Sequence, residues 1–482
     1  MTLSYIRVLM TLLSLLLCIS MYASDTPYRH LLSGSGMQHA SVGVHIVDVD
    51  TREVVLSYDA DRAYTPASLM KVVTAVTAMK CYDDAACWPT PVGYNGVITD
   101  TILHGDVIVK GNIDPSLGNA TSQQSPHAFI DSVVDAIKQL GIRCITGRVI
   151  VDASVAPLAG WNNRLVEDLG FYYGAICFGA NYRGNEYRLY MRTAGEGSRP
   201  QVIGASMQLP DMQYHNHMTV GVEDLSEVYI MPYMPHTLLM GTLPAHRDTF
   251  ALKCAMPDAP LTMAQHLRQA LLSAGVEVCG EATTDYILTE SGCAVPRSTH
   301  VFYTHTSDCM ADMLRVMLHK SNNLYAESLL RYVALSTDSI ATLSTALQTE
   351  RKLLCDMGLD TLALKKTDGS GLSRKNAVTP QFLSSLLVAA YHDDELGDRF
   401  VSLLPQVGKE GTVRSLFTRN RLPGILRLKS GTMEGVLCYA GYYQEGKRTY
   451  AVVLMSNHHT CKNSTLRRST EQFLYQILPA LR

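Results

Sequence analysis

Charge is scarce in this sequence. Lys and Arg number 41, Asp and Glu 44, and together they make up 18% of 482 residues, where an average globular chain carries about 25%. The formal balance of −3 leaves no surplus of either sign to steer a polyanion. Nucleic acid is thereby excluded as an expected partner. Repeats and low-complexity tracts are absent, which excludes a repeat architecture. Beyond the first two dozen residues no apolar run approaches the roughly 20 residues that cross a bilayer. What is present is a hydrophobic fraction of 47% and a length beyond one ordinary core. Two or three globular domains are expected.

The N-terminus has the pattern of an export signal: Arg7, an apolar run from Val8 to Ile19, then small residues at Ser20, Ala23 and Ser24. The run is too short for a membrane span, so residues 1–23 are expected to be a signal cleaved near Ser20 to Ser24. This places the mature chain in the periplasm or cell envelope, with room for peripheral membrane contact. Cys18 follows the bulky Leu17, which argues against a lipoprotein site. Of the 12 cysteines, Cys81 with Cys87 and Cys279 with Cys293 lie close enough for local bridges. The competing expectation is a set of mostly buried thiols. No Cys-x-x-Cys pair suggests metal or redox chemistry.

Ser41 to Val49 alternates apolar and polar residues and turns at Asp50-Thr51 into a second strand through Ser57. A helix is expected next, with Thr65 as N-cap, Pro66 in first position and apolar residues through Met79. From Cys81 to about Thr299 short β-type runs dominate, interrupted by helical stretches at His127 to Leu140 and Leu261 to Ala274. Glu186 to about Lys253 is strand-rich and methionine-rich, a candidate subdomain. Helical patterns return at Asp308 to Leu318, Leu324 to Ala334, Ser339 to Met357 and Pro380 to His392. Strands around Ile425 to Leu428, Leu437 to Tyr443 and Tyr450 to Met455 precede a terminal helix.

Three short motifs carry chemistry. Ser68-x-x-Lys71 places both side chains on one helix face, where a desolvated lysine can take the serine proton. Ser68 is the only serine followed by lysine three residues on. Taken alone the pair also fits a surface helix with a solvated lysine. Ser321-Asn322-Asn323 is the only Ser-x-Asn and sits at a helix junction; Lys429-Ser430-Gly431 is the only Lys-[Ser/Thr]-Gly and closes a strand. In that order, and in those contexts, the three resemble the penicillin-interacting serine enzymes.

The long separation of Ser68 from Ser321 narrows the resemblance to the class C low-molecular-mass penicillin-binding proteins, the D-alanyl-D-alanine carboxypeptidase/endopeptidase family. Gly111-Asn112-Ile113-Asp114-Pro115-Ser116-Leu117, Gly160-Trp161, Glu167-Asp168-Leu169, Tyr173-Gly174-Ala175 and Asp368-Gly369-Ser370-Gly371-Leu372-Ser373 are similar to it as well. Asn112-Ile113 departs where glycines are usual, and Ser430 replaces threonine. The resemblance implies an α/β (α+β) fold: a penicillin-binding/β-lactamase-like transpeptidase domain, antiparallel sheet with a helical cluster, built from 24–80 plus 300–482. A large, mostly β insertion would occupy 81–299, with a possible subdomain at 186–253.

By the same resemblance Ser68 attacks the penultimate D-alanine carbonyl, with Lys71 as general base. Ser321 relays a proton between Lys71, Lys429 and the leaving amine, and Asn323 holds the substrate carbonyl and Lys71. Lys429 adds positive field, Ser430 and Thr432 bind the free carboxylate, and the N–H groups of Ser68 and Thr432 form the oxyanion hole. Gly431 leaves room for substrate. Asp168, Tyr173 and Met433 would hold the amine end of a diamino-acid side chain; the plainer alternative is a helix cap and a core tyrosine. Asp368-Gly369-Ser370-Gly371 reads as a tight surface turn. His215-Asn216-His217 and His458-His459 lack a third ligand at a recognisable spacing, so neither a metal nor a cofactor is expected. The implied partners are peptidoglycan stem peptides and, as covalent inhibitors, β-lactams. The alternatives are a β-lactamase, a transpeptidase, or a catalytically silent β-lactam or wall sensor.

Overall fold

The computed structural model describes residues 26–122, 124–158, 163–419 and 421–481. The signal segment with Cys18, and the Gly160-Trp161 pair, lie outside the described residues. Contacts divide the described residues into two compact units: those up to Val73 with 359–365 and those from Asn376 on, and those within 74–358 with 366–375. By compactness the helices between 300 and 358 therefore go with the second unit. This differs from the division anticipated at 299/300.

The first unit is built on an antiparallel five-stranded sheet. Strands β1 (Ser41–Asp48) and β2 (Val54–Tyr58) form the anticipated hairpin. The C-terminal strands β3 (Ile425–Met433), β4 (Val436–Glu445) and β5 (Arg448–Asn457) complete it in the order β2-β1-β5-β4-β3. Along β1 the register runs from Ser41 opposite Asn457 to Asp48 opposite Tyr450, so the two ends of the chain close one sheet. β1, β4 and β5 are buried on both faces, which is why they read as nearly continuous apolar runs. Helix Pro380–His392 packs against β5 and β1, anchored where the buried Tyr442 hydroxyl donates to Leu387 O at 2.7 Å. The other side holds a core that includes Val44, Ile46, Leu428, Leu454, Leu466 and Phe473.

The second unit contains a five-stranded sheet, a four-stranded sheet and, from 186 to 255, three small sheets. The strand-rich stretch is thus as anticipated. Helices Ala128–Gln139 and Ala259–Ser273 match the helical patterns within two residues at each end. Helices α2 (Met310–Lys320), α3 (Asn323–Leu335) and Leu343–Asp356 follow. Among the described residues no helix is long and apolar enough to cross a membrane.

Several local expectations fail, each for a physical reason. Thr65 does not cap the helix. Its N–H and C=O pair with the Asn457 amide at 2.7 and 3.1 Å, so it continues an extended segment pinned to β5. A 3₁₀ turn, Ala67–Leu69, intervenes before α1 (Met70–Cys81), and Ala67 takes φ +47°. β3 does not end at Leu428 but runs through the Lys-Ser-Gly motif to Met433, because its pairing with β4 continues to Met433 opposite Val436. The Asp368 turn is buried rather than on the surface. None of the eleven described cysteines is in a disulfide, and of them only Cys177, Cys254 and Cys438 are buried. His215 and His217 are exposed, but His459 is buried with Nδ1 3.1 Å from Cys461 O. Ile113, where the family usually has glycine, is fully buried at φ +63°, a strained conformation for a β-branched residue.

Candidate active site

The first unit gathers Ser68, Lys71 and the Lys429 to Met433 segment. Ser68 sits in the 3₁₀ turn, half-buried, and Lys71 follows on α1 with no exposed surface. Lys71 Nζ is hydrogen-bonded to Ser68 Oγ at 2.9 Å. A hydroxyl held by a buried amine is the arrangement that makes serine a nucleophile.

Lys429, on β3, is also fully buried, and its Nζ donates to Ser430 O at 2.6 Å. Burial first, and the charge of Lys71 second, push its pKa well below that of an ordinary lysine. Two ammonium ions so placed disfavour each other, so the region favours a neutral amine at a pH where free lysines are charged. Ser430 Oγ shares a 2.7 Å hydrogen bond with Thr412 Oγ1. Thr432 is exposed and Met433 half-buried at the strand's end.

Gly431 has a different reason to be glycine from the one anticipated. A Cβ there would lie 2.4 Å from Pro66 O and 3.2 Å from both Ser68 N and Leu69 N. The strand backbone thus packs directly on the nucleophile turn, and the Ser68 N–H lies beside it.

The second unit gathers the other four residues. Ser321 ends α2 with φ +55°, ψ +34°, which turns the chain sharply into α3. Asn322 caps α3, its Oδ1 accepting from Tyr325 N at 3.1 Å. Asn323 opens the helix and donates from Nδ2 to Tyr173 O at 2.7 Å. Asp168 lies on the short helix Val166–Leu169, hydrogen-bonded to the Tyr173 side chain. Burial, and then the charge of Glu167, raise its carboxyl pKa; Tyr173 and two arginines, Arg374 and Arg164, counter this. Tyr173 is 36% exposed and stacks on Phe171 at 5.6 Å, so it is an open aromatic wall and not a core residue. Gly174 is dictated by crowding: a Cβ there would fall 1.7 Å from Asp168 O.

Two residues that no motif flagged hold this loop. Arg164 Nη1 donates to the carbonyls of Gly174 and, at 2.8 Å, Ala175. Its Nη2 pairs with Glu327 of α3 at 3.4 Å, and both side chains are under 10% exposed. Glu327 also accepts from Gly369 N and Ser370 N, each at 3.1 Å. Asp368 in turn accepts from Gly371 N and Ser373 N at 2.8 and 2.7 Å. Burial alone would raise the Glu327 pKa, but Arg164 and the Ser370 and Gly369 hydrogen bonds hold it below the ordinary value. The one available signal was weak: Glu327 lies four residues after Asn323, one helical turn on.

A five-stranded antiparallel sheet with a Ser-x-x-Lys turn packed under its edge strand, in a chain that also carries a unit of helices and small sheets, is the penicillin-binding, β-lactamase-like peptidase architecture. Residues 29–477 match the D-Ala-D-Ala carboxypeptidase 3 (S13) family, and the chain belongs to that family. It is a serine-type D-alanyl-D-alanine carboxypeptidase, a hydrolase. It is 26% identical over 454 residues to the D-alanyl-D-alanine carboxypeptidase of Actinomadura sp. (strain R39), covering 89% of this chain and 80% of the relative. It is 24% identical over 456 residues to D-alanyl-D-alanine carboxypeptidase DacB of Haemophilus influenzae, covering 90% and 89%. The crystal structure of penicillin binding protein 4 (dacB) from Haemophilus influenzae superposes with a TM-score of 0.81 at 22% identity, over 95% of this chain and 99% of that one. A form complexed with a β-lactam gives 0.76.

Gly431→Ala is expected to push β3 off the nucleophile turn, cost about 1–3 kcal/mol in stability, and slow penicillin acylation far more than it lowers the melting temperature. Stopped-flow acylation beside thermal melts separates the two effects. Glu327→Gln is expected to cost about 3 kcal/mol, since it leaves Arg164 as an uncompensated buried charge. The folded-state pKa of Glu327 is depressed, so its contribution is present above the ordinary value of 4.5 and is lost as pH falls through the folded-state value. Melting curves of wild type and variant against pH should therefore converge only on acidification.

Proposed function

We propose that this carboxypeptidase is exported to the periplasm or cell envelope, its signal removed near Ser20 to Ser24, and trims peptidoglycan stem peptides through an acyl-enzyme on Ser68. The observation that carries the reading is the 2.9 Å contact of Lys71 Nζ with Ser68 Oγ in a region where Lys71 and Lys429 are both fully buried. Lys71, neutral, takes the Ser68 proton as Oγ adds to the carbonyl of the penultimate D-alanine. The N–H groups of Ser68 and Thr432 carry the oxyanion. The C–N bond then breaks, and the leaving amine takes a proton passed from Lys71 through Ser321. Water attacks the ester and frees Ser68.

Lys429 supplies positive field, and Ser430 and Thr432 bind the free carboxylate of the terminal D-alanine, with Gly431 setting the strand's approach. Asn323 orients the peptide. Asp168 binds the ammonium end of a diamino-acid side chain, with Tyr173 and Met433 as walls for its methylene stem. The raised pKa of Asp168 makes this recognition strongest above the acidic range. An amine that belongs to a neighbouring stem peptide is as good a leaving group as D-alanine, so the same acyl-enzyme serves as a DD-endopeptidase. β-Lactams acylate Ser68 because their strained amide presents the same carbonyl. The β-lactam complex of the Haemophilus protein supports that expectation.

A fluorescent penicillin should label wild type, and Ser68→Ala should show neither label nor D-alanine release from pentapeptide. Mass spectrometry of digested peptidoglycan reads both cleavages, and a wild-type protein that releases no D-alanine overturns the proposal. Asp168→Asn should raise KM roughly ten-fold, as expected for one charge-assisted hydrogen bond, on peptides with a free side-chain amine. Peptides with that amine acetylated should show no difference, and a loss of equal size on both would remove Asp168 from recognition.

A further inference from the structure

Cys144, Glu277 and Cys279 meet on a sheet of the second unit. Strands Cys144–Ile145 and Glu277–Val278 pair in parallel, with Cys144 opposite Glu277. Cys279 N prolongs the ladder by donating to Ile145 O at 3.0 Å. Side chains two apart on a strand share a face, so all three project to the same side. The two Sγ atoms and a Glu277 carboxylate oxygen lie within 4.8 Å of one another, with Cys279 Sγ 4.0 Å from Glu277 Oε1. Around a tetrahedral zinc with bonds of about 2.3 Å to sulfur and about 2.0–2.2 Å to oxygen, neighbouring donors stand a little under 4 Å apart. Small side-chain rotations would close the trio on an ion.

The electrostatics agree. Among the described residues no lysine or arginine forms an ion pair with Glu277. Three groups that each ligate as an anion crowd one spot, and a dication turns their repulsion into attraction. Cys144 is half-buried while Glu277 and Cys279 are exposed, so an ion has a direct path in.

We propose that Cys144, Glu277 and Cys279 form a binding site for a thiophilic divalent cation, with zinc the best match and water as fourth ligand. Two thiolates select zinc over magnesium or calcium, which prefer all-oxygen sets. The ion would clip together two strands that lie far apart in sequence, and it takes no part in acyl transfer.

The test uses the full-length protein, reduced and stripped with chelator, then titrated with Zn²⁺ against a chromophoric competitor and with Co²⁺ by absorption. Wild type should bind one equivalent and show a cobalt–thiolate charge-transfer band. Cys144→Ser and Cys279→Ser should each weaken binding at least about ten-fold, the lower end of what metal sites lose even on outer-shell changes. Glu277→Gln should weaken binding while keeping the band, and D-alanine release should be unchanged in all three, which also reports intact folding. Equal zinc affinity in the Cys144→Ser/Cys279→Ser double variant, or no thiolate band in wild type, overturns the proposal. So does a Cys144–Cys279 disulfide found by non-reducing peptide mapping of protein taken directly from cells.

Discussion

Two lysine side chains buried together impose the constraint on which the first unit depends. Lys71 and Lys429 have no exposed surface, and an isolated buried ammonium is costly enough that the group prefers to lose its proton. The cost is met locally by hydrogen bonds to Ser68 Oγ and Ser430 O, and the remainder appears as a depressed pKa at Lys429. The surroundings serve this arrangement. Met70, Val72, Val73, Ala75 and Val76 on α1 are fully buried, as are Leu428 and Ala440 in the sheet. A side chain that would be an inert cation on a surface is placed by the core built around it where the proposed mechanism needs a base.

The second unit solves a different problem, which is how to hold a polar loop still. Arg164 binds two carbonyls of the Tyr173-Gly174-Ala175 turn and the carboxylate of Glu327, which in turn binds the backbone of the Asp368 turn. Asn323 adds a fourth tie through Tyr173 O. One buried ion pair thus joins the start of α3, the Asp168–Tyr173 loop and a glycine-rich turn. Removing either charge would strand the other. These ties would suit the recognition proposed for Asp168, because a carboxylate must be preoriented to favour an ammonium over water.

Much of this was legible in the chain. The β1–β2 hairpin, the helix Pro380–His392 and the C-terminal strands announce themselves by period and by turn residues. Ser68, Lys71, Ser321, Asn323 and Lys429 stand out because each belongs to a motif that occurs once. The errors share a cause. Thr65 looked like a cap until Asn457, nearly four hundred residues away, took its backbone groups. The Asp368 turn has surface-turn composition, yet a buried carboxylate from α3 satisfies its N–H groups. Gly431 looked like space for a ligand and proved to be space for Pro66 O. Each depended on a partner remote in sequence.

Local spacing, by itself, determined that a serine and a lysine would share one face and that a hairpin would open the sheet; the mixed α+β serine peptidase was implied only by the resemblance of the three motifs, taken together, to a known family. The first two follow from short-range geometry, in which i, i+3 neighbours and alternating strand residues meet whatever else happens. Tertiary structure alone decided that Lys429 would lose its ordinary basicity, that Gly431 would lie on the nucleophile turn, and that Glu327 would anchor a loop centred on Tyr173. Desolvation, close backbone approach and buried ion pairs are properties of surroundings, and those surroundings exist only once distant segments have packed.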